Sequence, residues 1–315
     1  MEFIKTKQKL ECLVCGFKSN EQGEFKHLRH HDRWDLYQCS KCAFQFWDPP
    51  GQAPKEFFEE HYKDFADILI KPTLALRHKL ILKLLPIKKG TILDIGCGVN
   101  LFLTELHKRG FNVFGVDFNR KAIEKAKKLF GLKNLYPLSI YDFALLPNLP
   151  KFDLITLFEV LEHIEAPKEF ILTIKNLLNN KGFVALSVPD VKMFGPWEYS
   201  CNIAPYHTAY WTPETLKIFL TKNNFEIITM KKISRLDTIA LLINVLIKLK
   251  LIKNTSLPSN NDDKSSNDFK IPLRSSGLLK KVLISFYRII SFPFREFLYI
   301  LGFRSTIFVI AQLKN

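Results

Sequence analysis

The sequence predicts an α/β fold with a doubly wound, mostly parallel sheet of seven strands. A small cysteine-rich module precedes the sheet, and a helical insertion precedes its last strand. Three observations lead to this prediction. Short apolar segments alternate with amphipathic ones over residues 87–234, which is typical of parallel strands joined by helices. Two C-x-x-C pairs lie within residues 1–50, and a basic, apolar segment at 235–303 separates the last predicted strand from the others.

The alternation sets the order of the elements. Short apolar runs rich in β-branched and aromatic residues predict seven strands, at 91–95, 112–117, 134–140, 153–158, 183–188, 225–230 and 306–313. Amphipathic spacing predicts helices between them, at 101–109, 120–130, 167–178 and 213–222. Because ligands bind outside the carboxyl ends of the strands in such sheets, functional residues are expected in the loops that follow the strands.

Length and composition are those of a globular protein with one large or two modest domains. The chain has 315 residues, 47% of them hydrophobic and 24% charged, which excludes a disordered or fibrous chain. The net charge is +15, and residues 231–315 hold 15 basic and 5 acidic side chains, so ten of these positive charges lie there. The first nine residues lack the pattern of a secretory signal, and the most apolar run, 238–247, is too short to span a bilayer. We therefore expect a cytoplasmic protein with reduced thiols.

The cysteine pairs form the strongest local motif of the first 50 residues. Cys12 and Cys15 make one C-x-x-C pair and Cys39 and Cys42 the other, with 23 residues between the pairs. Four thiolates on paired turns are typical of a closed, structural zinc site. Redox use of either pair is the alternative. The pattern predicts a zinc-ribbon-like module at 1–50, which a helical linker at 51–86 follows.

The first predicted strand of the sheet ends in a glycine-containing turn. Asp94 is followed by Gly96 and Gly98, and glycines here let the backbone approach a ligand closely. Leu101 stands where a dinucleotide fingerprint requires a third glycine, and the charge of Asp94 disfavours a bound pyrophosphate. Asp94 suits a ligand with a cationic amine instead. Asp117 ends the second strand about 20 residues after the glycines, a position suited to ribose hydroxyls.

Four motifs in this order, LDIGCG, GVD, YD and FDLITLFEVLEHI, resemble those of class I S-adenosylmethionine-dependent methyltransferases. The resemblance covers residues 75–234 and the final strand. It implies a Rossmann-like sheet, an S-adenosylmethionine cofactor and a methyltransferase domain at 87–315. The resemblance implies that Asp94, Gly96 and Gly98 contact the methionine part of the cofactor. It also implies that Asp117 contacts the ribose and Asp142 the adenine.

One position departs from the pattern of that family. Asn100 stands where a third glycine is usual. Asparagine adopts left-handed backbone conformations more readily than most residues, so we expect cofactor binding to survive. The same departure supports a non-catalytic alternative, in which the protein binds cofactor or membrane without turnover.

The segment after the fourth strand of the sheet carries two acids and a histidine. Glu159, Glu162 and His163 have the spacing i, i+3, i+4, so on a helical turn they would share one face. The segment resembles the Glu-x-x-Glu-His sequence of metal-dependent small-molecule and RNA-ribose O-methyltransferases, in which a later histidine helps. His207 would be that histidine, and Mg²⁺ or Mn²⁺ the ion. The alternative is that Glu162 and His163 only orient this loop.

A long aromatic connection at 191–211 follows the fifth strand and is expected to cover the cofactor pocket. His207 is the candidate base for an acceptor hydroxyl, because a histidine of ordinary pKa, about 6.5, suits that role at neutral pH. A packed loop in which His207 only satisfies backbone groups is the alternative. Four aromatic residues are predicted to line the acceptor, namely Trp197, Tyr199, Tyr206 and Tyr210.

The insertion at 235–303 has two recognisable parts. A Ser/Asn/Asp tract at 254–268 predicts a flexible loop. Residues 278–295 predict a basic amphipathic helix. Such a helix suits either peripheral contact with the inner membrane face or packing on the domain or on a second copy in a homodimer.

These observations predict an enzyme that transfers a methyl group from S-adenosylmethionine to a hydroxyl of a small molecule or glycan. An RNA methyltransferase that uses the module and the basic tail to hold nucleic acid is the alternative. The aliphatic character of the tail disfavours nucleic acid, which is better bound by basic residues interleaved with exposed aromatics.

Overall fold

The computed structural model describes residues 10–19, 25–51, 74–99, 101–191, 203–233 and 306–314. The predicted insertion at 235–303, with its 254–268 loop and its 278–295 helix, lies outside the described residues. Residues 52–73 of the predicted linker and Asn100 also lie outside them.

In chain order the described residues form the strands β1 (Lys26–His31), β2 (Trp34–Gln38), β3 (Gln45–Asp48), β4 (Thr91–Ile95), β5 (Asn112–Val116), β6 (Leu135–Tyr136), β7 (Phe152–Phe158), β8 (Leu178–Pro189), β9 (Ala209–Tyr210), β10 (Phe225–Ile233) and β11 (Thr306–Leu313). The α-helices are α1 (Leu76–Lys83), α2 (Phe102–Lys108), α3 (Arg120–Phe130), α4 (Ile140–Ala144), α5 (Pro167–Leu177) and α6 (Pro213–Lys222). Within the part of the chain that the structure describes, no helix has the length and hydropathy needed to cross a membrane.

Seven strands form the central sheet, in the order β10-β11-β8-β7-β4-β5-β6. The pairs from β8 to β6 are all parallel, whereas β11 runs antiparallel to both of its neighbours. The predicted mostly parallel sheet of seven strands is therefore confirmed. Parallel pairing places the carboxyl ends of β4, β5 and β7 at one edge, where a ligand site is expected.

Helices cover both faces of this sheet. Successive strand residues point to opposite faces, so Ile92 belongs to one buried cluster and its neighbour Leu93 to the other. The Ile92 cluster contains the apolar side chains of α1, α2 and α3, among them Ile81, Phe102 and Ile123. The Leu93 cluster contains those of α4, α5 and α6, among them Phe143, Phe170 and Phe219. The sheet is thus doubly wound, as predicted.

The third strand of the sheet is shorter than predicted. The expected strand at 134–140 is reduced to the two residues of β6. Pro137 has no N–H group to donate to a neighbouring strand, which ends the pairing. Ser139 then caps α4, because its hydroxyl oxygen accepts the Asp142 N–H at 3.1 Å.

The N-terminal module shares a sheet and a core with the larger domain. Strands β1, β2, β3 and β9 form an antiparallel sheet in that order, and β9 comes from the domain, well after the predicted module boundary at residue 50. The Phe44 ring lies 4.8 Å from that of Trp211, centroid to centroid. Val14 and Phe46 of the module belong to the same buried cluster as Phe219 of α6. The module is therefore built onto the domain rather than attached through a linker alone.

His78 of α1 is a buried polar side chain in this core. Its ring stacks on Phe102 with centroids 5.0 Å apart and meets Phe158 edge-on at 5.4 Å. Burial lowers the pKa of His78 to about 3, and the adjacent Arg77 charge adds to the effect. The folded protein therefore keeps this imidazole neutral at pH values where a free histidine gains a proton.

Acid should destabilise the fold through His78. Its contribution is fully present above about pH 6.5 and is lost as the pH falls from there toward 3, because only the unfolded chain takes up the proton. The loss approaches about 1.4 kcal/mol per pH unit. His78→Phe keeps the ring and removes the titrating group, so its urea midpoint should fall less steeply with acid than that of the wild type. The exposed His107→Gln variant is the control. If the urea midpoint falls equally steeply with acid in His78→Phe and in the wild type, His78 does not have this role.

Candidate active site

The turn after β4 contains two glycines with positive φ. Gly96 has a φ of 71° and Gly98 a φ of 47°. The N–H groups of Gly96 and Cys97 donate to the Val116 carbonyl at the end of β5, over 2.8 and 3.2 Å. A Cβ atom on Gly96 would lie 2.7 Å from Val160 Cγ2, so a side chain has no room there. The turn therefore presents bare backbone at the carboxyl end of the sheet.

A buried carboxylate, Asp94, and a half-buried one, Asp117, flank this turn. Asp94 on β4 is 2% exposed and accepts a hydrogen bond of 2.6 Å from Thr156 Oγ1. Asp117, directly after β5, accepts from the N–H groups of Gly98 and Asn119 over 2.9 and 2.8 Å. Burial raises the pKa of Asp117, against the lowering effect of these two bonds. Each carboxylate oxygen has more than one lone pair, so Asp117 can also accept from the hydroxyls of a ligand.

Asp142 lies in the first turn of α4, close after the end of β6. Its side chain is exposed, and its Oδ2 accepts a hydrogen bond of 2.7 Å from the Ser139 hydroxyl. This bond fixes the carboxylate near the start of the helix. The assignment of Asp142 to the adenine stays a prediction.

Glu159 follows β7 in a strained backbone conformation. Its φ is 59°, which is uncommon for a residue with a side chain. Ser187 of β8 holds it there, since the Glu159 N–H donates to the Ser187 carbonyl at 2.9 Å and the Ser187 hydroxyl donates to Glu159 Oε1 at 2.8 Å. The expected helical turn is only the 3-10 turn Leu161–His163. Glu159 precedes that turn and is not in the group of ligand atoms, from Glu162, His163 and His207, that lie within 4.8 Å of one another.

Three side chains converge in what we term the acid–histidine cluster, made of Glu162, His163 and His207. One carboxylate or imidazole atom from each residue lies within 4.8 Å of those from the other two. Glu162 and His207 are buried, and His163 is half-buried. The cluster joins the loop after β7 to the residues just before β9, which are distant in sequence.

The hydrogen bonds of His163 define its tautomer. His163 Nδ1 lies 2.6 Å from the Tyr206 carbonyl oxygen, and because a carbonyl only accepts, Nδ1 carries the proton. In the neutral ring Nε2 then holds the lone pair. The centroid of the Tyr206 ring lies 4.9 Å from that of the His163 ring and 5.1 Å from that of the His207 ring. These contacts orient both imidazoles.

The aromatic residues predicted to line the acceptor lie in different places. Tyr206 is half-buried beside both histidines of the acid–histidine cluster. Tyr210 is buried, and its ring meets that of Trp47 in the module at 6.3 Å. Trp197 and Tyr199 lie outside the described residues. Of the predicted acceptor residues, Tyr206 therefore borders the acid–histidine cluster, whereas Tyr210 packs against the module.

The structure brings the four cysteines of the module together. Their Sγ atoms lie within 4.8 Å of one another, and the distances from Cys12 to Cys42 and from Cys15 to Cys39 are both 3.6 Å. Sulfurs on a tetrahedral zinc ion with bonds of about 2.3 Å would lie about 3.8 Å apart. The hydrogen bond from Cys42 lowers the pKa of Cys12 to about 5, whereas burial raises that of Cys39 to about 11. The donor set therefore fits a metal ion with four sulfur ligands.

Comparison with known proteins places this chain in a family. A family model described as a methyltransferase domain matches residues 69–230. The ubiquinone biosynthesis O-methyltransferase of Caulobacter vibrioides is 30% identical over 203 residues, which are 60% of this chain and 79% of that protein. The protein of the same name from Bartonella quintana is 28% identical over 211 residues, which are 62% of this chain and 84% of that protein. The chain belongs to the methyltransferase-domain family.

The class predicted from the four motifs is thereby confirmed, and the chain is an S-adenosylmethionine-dependent methyltransferase. A solved structure of the phosphoethanolamine N-methyltransferase 2 of Haemonchus contortus, in complex with S-adenosyl-L-methionine, has the same fold. It aligns with a TM-score of 0.52 over 86% of this chain and 62% of that chain, at 16% sequence identity.

Two polar side chains of α1, Arg77 and His78, were not among the residues singled out from the sequence. Both lie in the first turn of α1, and the His78 ring contacts Phe158, the last residue of β7. The buried atoms Arg77 Nε and His78 Nδ1 have no hydrogen-bond partner among the described residues. The signal available in the sequence was the Arg-His pair itself, ahead of the apolar residues 80–82 of this helix.

Asp117→Asn should weaken the binding of S-adenosylmethionine to this methyltransferase. The amide keeps the size of the carboxylate but removes a charged acceptor and turns an N–H donor toward one of the two backbone N–H groups. A hydrogen bond to a charged group contributes about 1.5–3 kcal/mol, so the Kd should rise about 10- to 100-fold in calorimetric titration. Glu124→Gln, an exposed change on α3, is the control. An unchanged Kd would show that Asp117 does not contribute to cofactor binding.

Proposed function

We propose that this methyltransferase transfers the methyl group of S-adenosylmethionine to a hydroxyl of a small molecule. The observation that carries the proposal is the acid–histidine cluster, which places two imidazoles and a carboxylate beside the loop after β7. The names of the O-methyltransferases from Caulobacter vibrioides and Bartonella quintana support the same chemistry. Glycan hydroxyls remain within the proposed acceptor class, because they present the same reacting group.

The turn after β4 and its two flanking acids suit the cofactor. Backbone at Gly96 and Gly98, with Asp94, would hold the methionine part, and Asp117 would accept from the ribose hydroxyls. The exposed Asp142 would accept from the adenine amine. When bound, the cofactor supplies a methyl group on a reactive sulfonium, so the main task of the chain is to align the acceptor oxygen with that methyl group.

His207 is the proposed proton acceptor. When a C–O bond forms at a hydroxyl and the C–S bond breaks, the hydroxyl proton must leave the oxygen. His207 is held beside His163 and Glu162, whose carboxylate can stabilise an imidazolium. The His163 Nδ1–H bond to the Tyr206 carbonyl keeps this arrangement in one orientation. Tyr206, whose ring contacts both histidines, would contact an acceptor that approaches them.

The acid–histidine cluster offers one carboxylate and two imidazoles, ligand types that can hold a metal ion. It has fewer of the oxygen ligands that a magnesium ion prefers. Glu159, the second predicted carboxylate, is hydrogen bonded to Ser187 instead. We therefore favour proton transfer over metal activation at this site.

The module is proposed to bind one structural zinc ion through Cys12, Cys15, Cys39 and Cys42. The support is the match between the observed Sγ–Sγ distances of 3.6 Å and those expected around zinc. Four protein ligands leave no open position, so the zinc would shape the module and take no part in methyl transfer.

His207→Gln should lower kcat about 100- to 10,000-fold with a panel of small phenolic and sugar hydroxyl acceptors, because a general base is lost. The Kd for S-adenosylmethionine should stay unchanged, since His207 lies on the acceptor side. Release of S-adenosylhomocysteine measures turnover, and His107→Gln, an exposed histidine on α2, is the matched control. Wild-type turnover in His207→Gln would remove the histidine from the chemistry. Loss of wild-type activity with EDTA and its recovery with Mg²⁺, while the module keeps its zinc, would instead establish a metal mechanism.

A further inference from the structure

The N-terminal module pairs directly with the residues that carry His207. We term residues 203–212 the acceptor-side segment. Strand β3 of the module pairs with β9 of this segment, with Gln45 opposite Tyr210 and Phe46 opposite Ala209. One residue farther, the Trp47 N–H donates to the Thr208 carbonyl at 3.0 Å. The module's sheet therefore ends on the residue next to His207.

Thr208 connects this sheet to the other half of the acid–histidine cluster. The Thr208 N–H donates to the Glu162 carbonyl at 2.9 Å. Its hydroxyl lies 3.2 Å from the same carbonyl and 3.0 Å from that of Ile164. Thr208 is 6% exposed, so water competes little for these bonds. The backbone on both sides of His163 is thus tied to the backbone beside His207.

The cysteine site lies at the other end of the same sheet. Cys39 directly follows β2, and Cys42 stands shortly before β3, so the second knuckle is the turn that joins these strands. The Cys39 N–H donates to the Phe44 carbonyl at 2.8 Å, and the Phe44 ring packs on Trp211 of the acceptor-side segment. Lys222 at the end of α6 adds a hydrogen bond of 2.7 Å to the Cys15 carbonyl. A continuous set of backbone bonds and ring contacts runs from the cysteines to Thr208.

We propose that the module is a positioning element for the acid–histidine cluster, and that Thr208 is the positioning residue through which β3 acts. The proposal rests on the function proposed above for that cluster. A displacement of about 1 Å at a reacting group can cost about 100-fold in rate, so a bond network that fixes His207 against Glu162 and His163 has a large effect on turnover. The cofactor turn after β4 makes none of these contacts among the described residues.

The Thr208 hydroxyl provides the first test. Thr208→Val keeps the β-branched shape and the backbone bonds but removes the hydroxyl donor, and Thr208→Ser restores it. We expect kcat with the acceptor to fall about 10- to 100-fold in Thr208→Val and to recover largely in Thr208→Ser, with the Kd for S-adenosylmethionine constant. Thr173→Val is the control: it removes a solvent-exposed hydroxyl bond, to the Glu169 carbonyl on α5, and should leave kcat unchanged. Wild-type kcat in Thr208→Val, or no recovery in Thr208→Ser, would overturn the positioning role.

Zinc removal provides a second test that does not depend on activity. Native mass spectrometry of the full chain should show one zinc ion. A zinc chelator should then shift or broaden the ¹⁵N–¹H imidazole correlations of His163 and His207. The imidazole correlation of His107 on α2 should stay in place. Added Zn²⁺ should restore the original spectrum.

The two tests fail separately from the proposed function. Zinc removal could move the backbone signals of the module and leave the imidazole signals of His163 and His207 unchanged. That result would overturn the positioning role and leave methyl transfer to a hydroxyl intact. A chain with no bound metal would overturn the role of the cysteines. Conversely, zinc-dependent imidazole signals in a protein that methylates no hydroxyl acceptor would refute the proposed function alone.

Discussion

The Gly98 N–H donates a hydrogen bond of 2.9 Å to the Asp117 carboxylate, and this bond closes the turn after β4 against the end of β5. Parallel pairing brings those two strand ends together in the first place. The same carboxylate accepts the Asn119 N–H, and Asn119 in turn caps α3. One half-buried acid therefore sets the shape of the proposed cofactor turn and the start of the next helix. The arrangement leaves bare glycine backbone beside carboxylates, which suits a cationic ligand that also carries hydroxyl groups.

The acid–histidine cluster, the proposed acceptor side, is built differently, from segments far apart in sequence. The loop after β7 supplies Glu162 and His163, the residues before β9 supply His207, and the N-terminal module supplies the strand that pairs with β9. Hydrogen bonds at Thr208 hold these parts together. The cofactor turn thus depends mainly on neighbouring strands of the large sheet, whereas the acid–histidine cluster depends on the smaller one. This division suits an enzyme family that keeps one methyl donor and varies its acceptors.

Local patterns in the sequence predict most of the sheet and helices. The strands at 91–95 and 306–313 and the helices at 120–130 and 213–222 have the predicted bounds, because apolar periodicity and caps act over a few residues. The strand at 134–140 was too long, since the effects of Pro137 and Ser139 outweigh strand propensity there.

Long-range contacts account for what the sequence could not predict at the site. Spacing alone put Glu159 with Glu162 and His163, but the positive φ of Glu159 and its bonds to Ser187 on another strand separate it from them. The pairing of β3 with β9 joins residues remote in the chain, and nothing local signals it. His207 was identified as a histidine in the long aromatic connection after the fifth strand, whereas Thr208 has a common residue type whose four hydrogen-bond contacts exist only in the folded protein.

The atom that receives the methyl group is the most direct test of the central claim. The purified enzyme would be incubated with S-adenosylmethionine labelled with ¹³C in its methyl group and with the acceptor of highest turnover. The product would then be examined by long-range ¹³C–¹H correlation. We expect the labelled methyl to correlate, across an oxygen, with the carbon that carried the hydroxyl. A methyl bonded to nitrogen or carbon, or no labelled product from any hydroxyl acceptor, would contradict O-methylation.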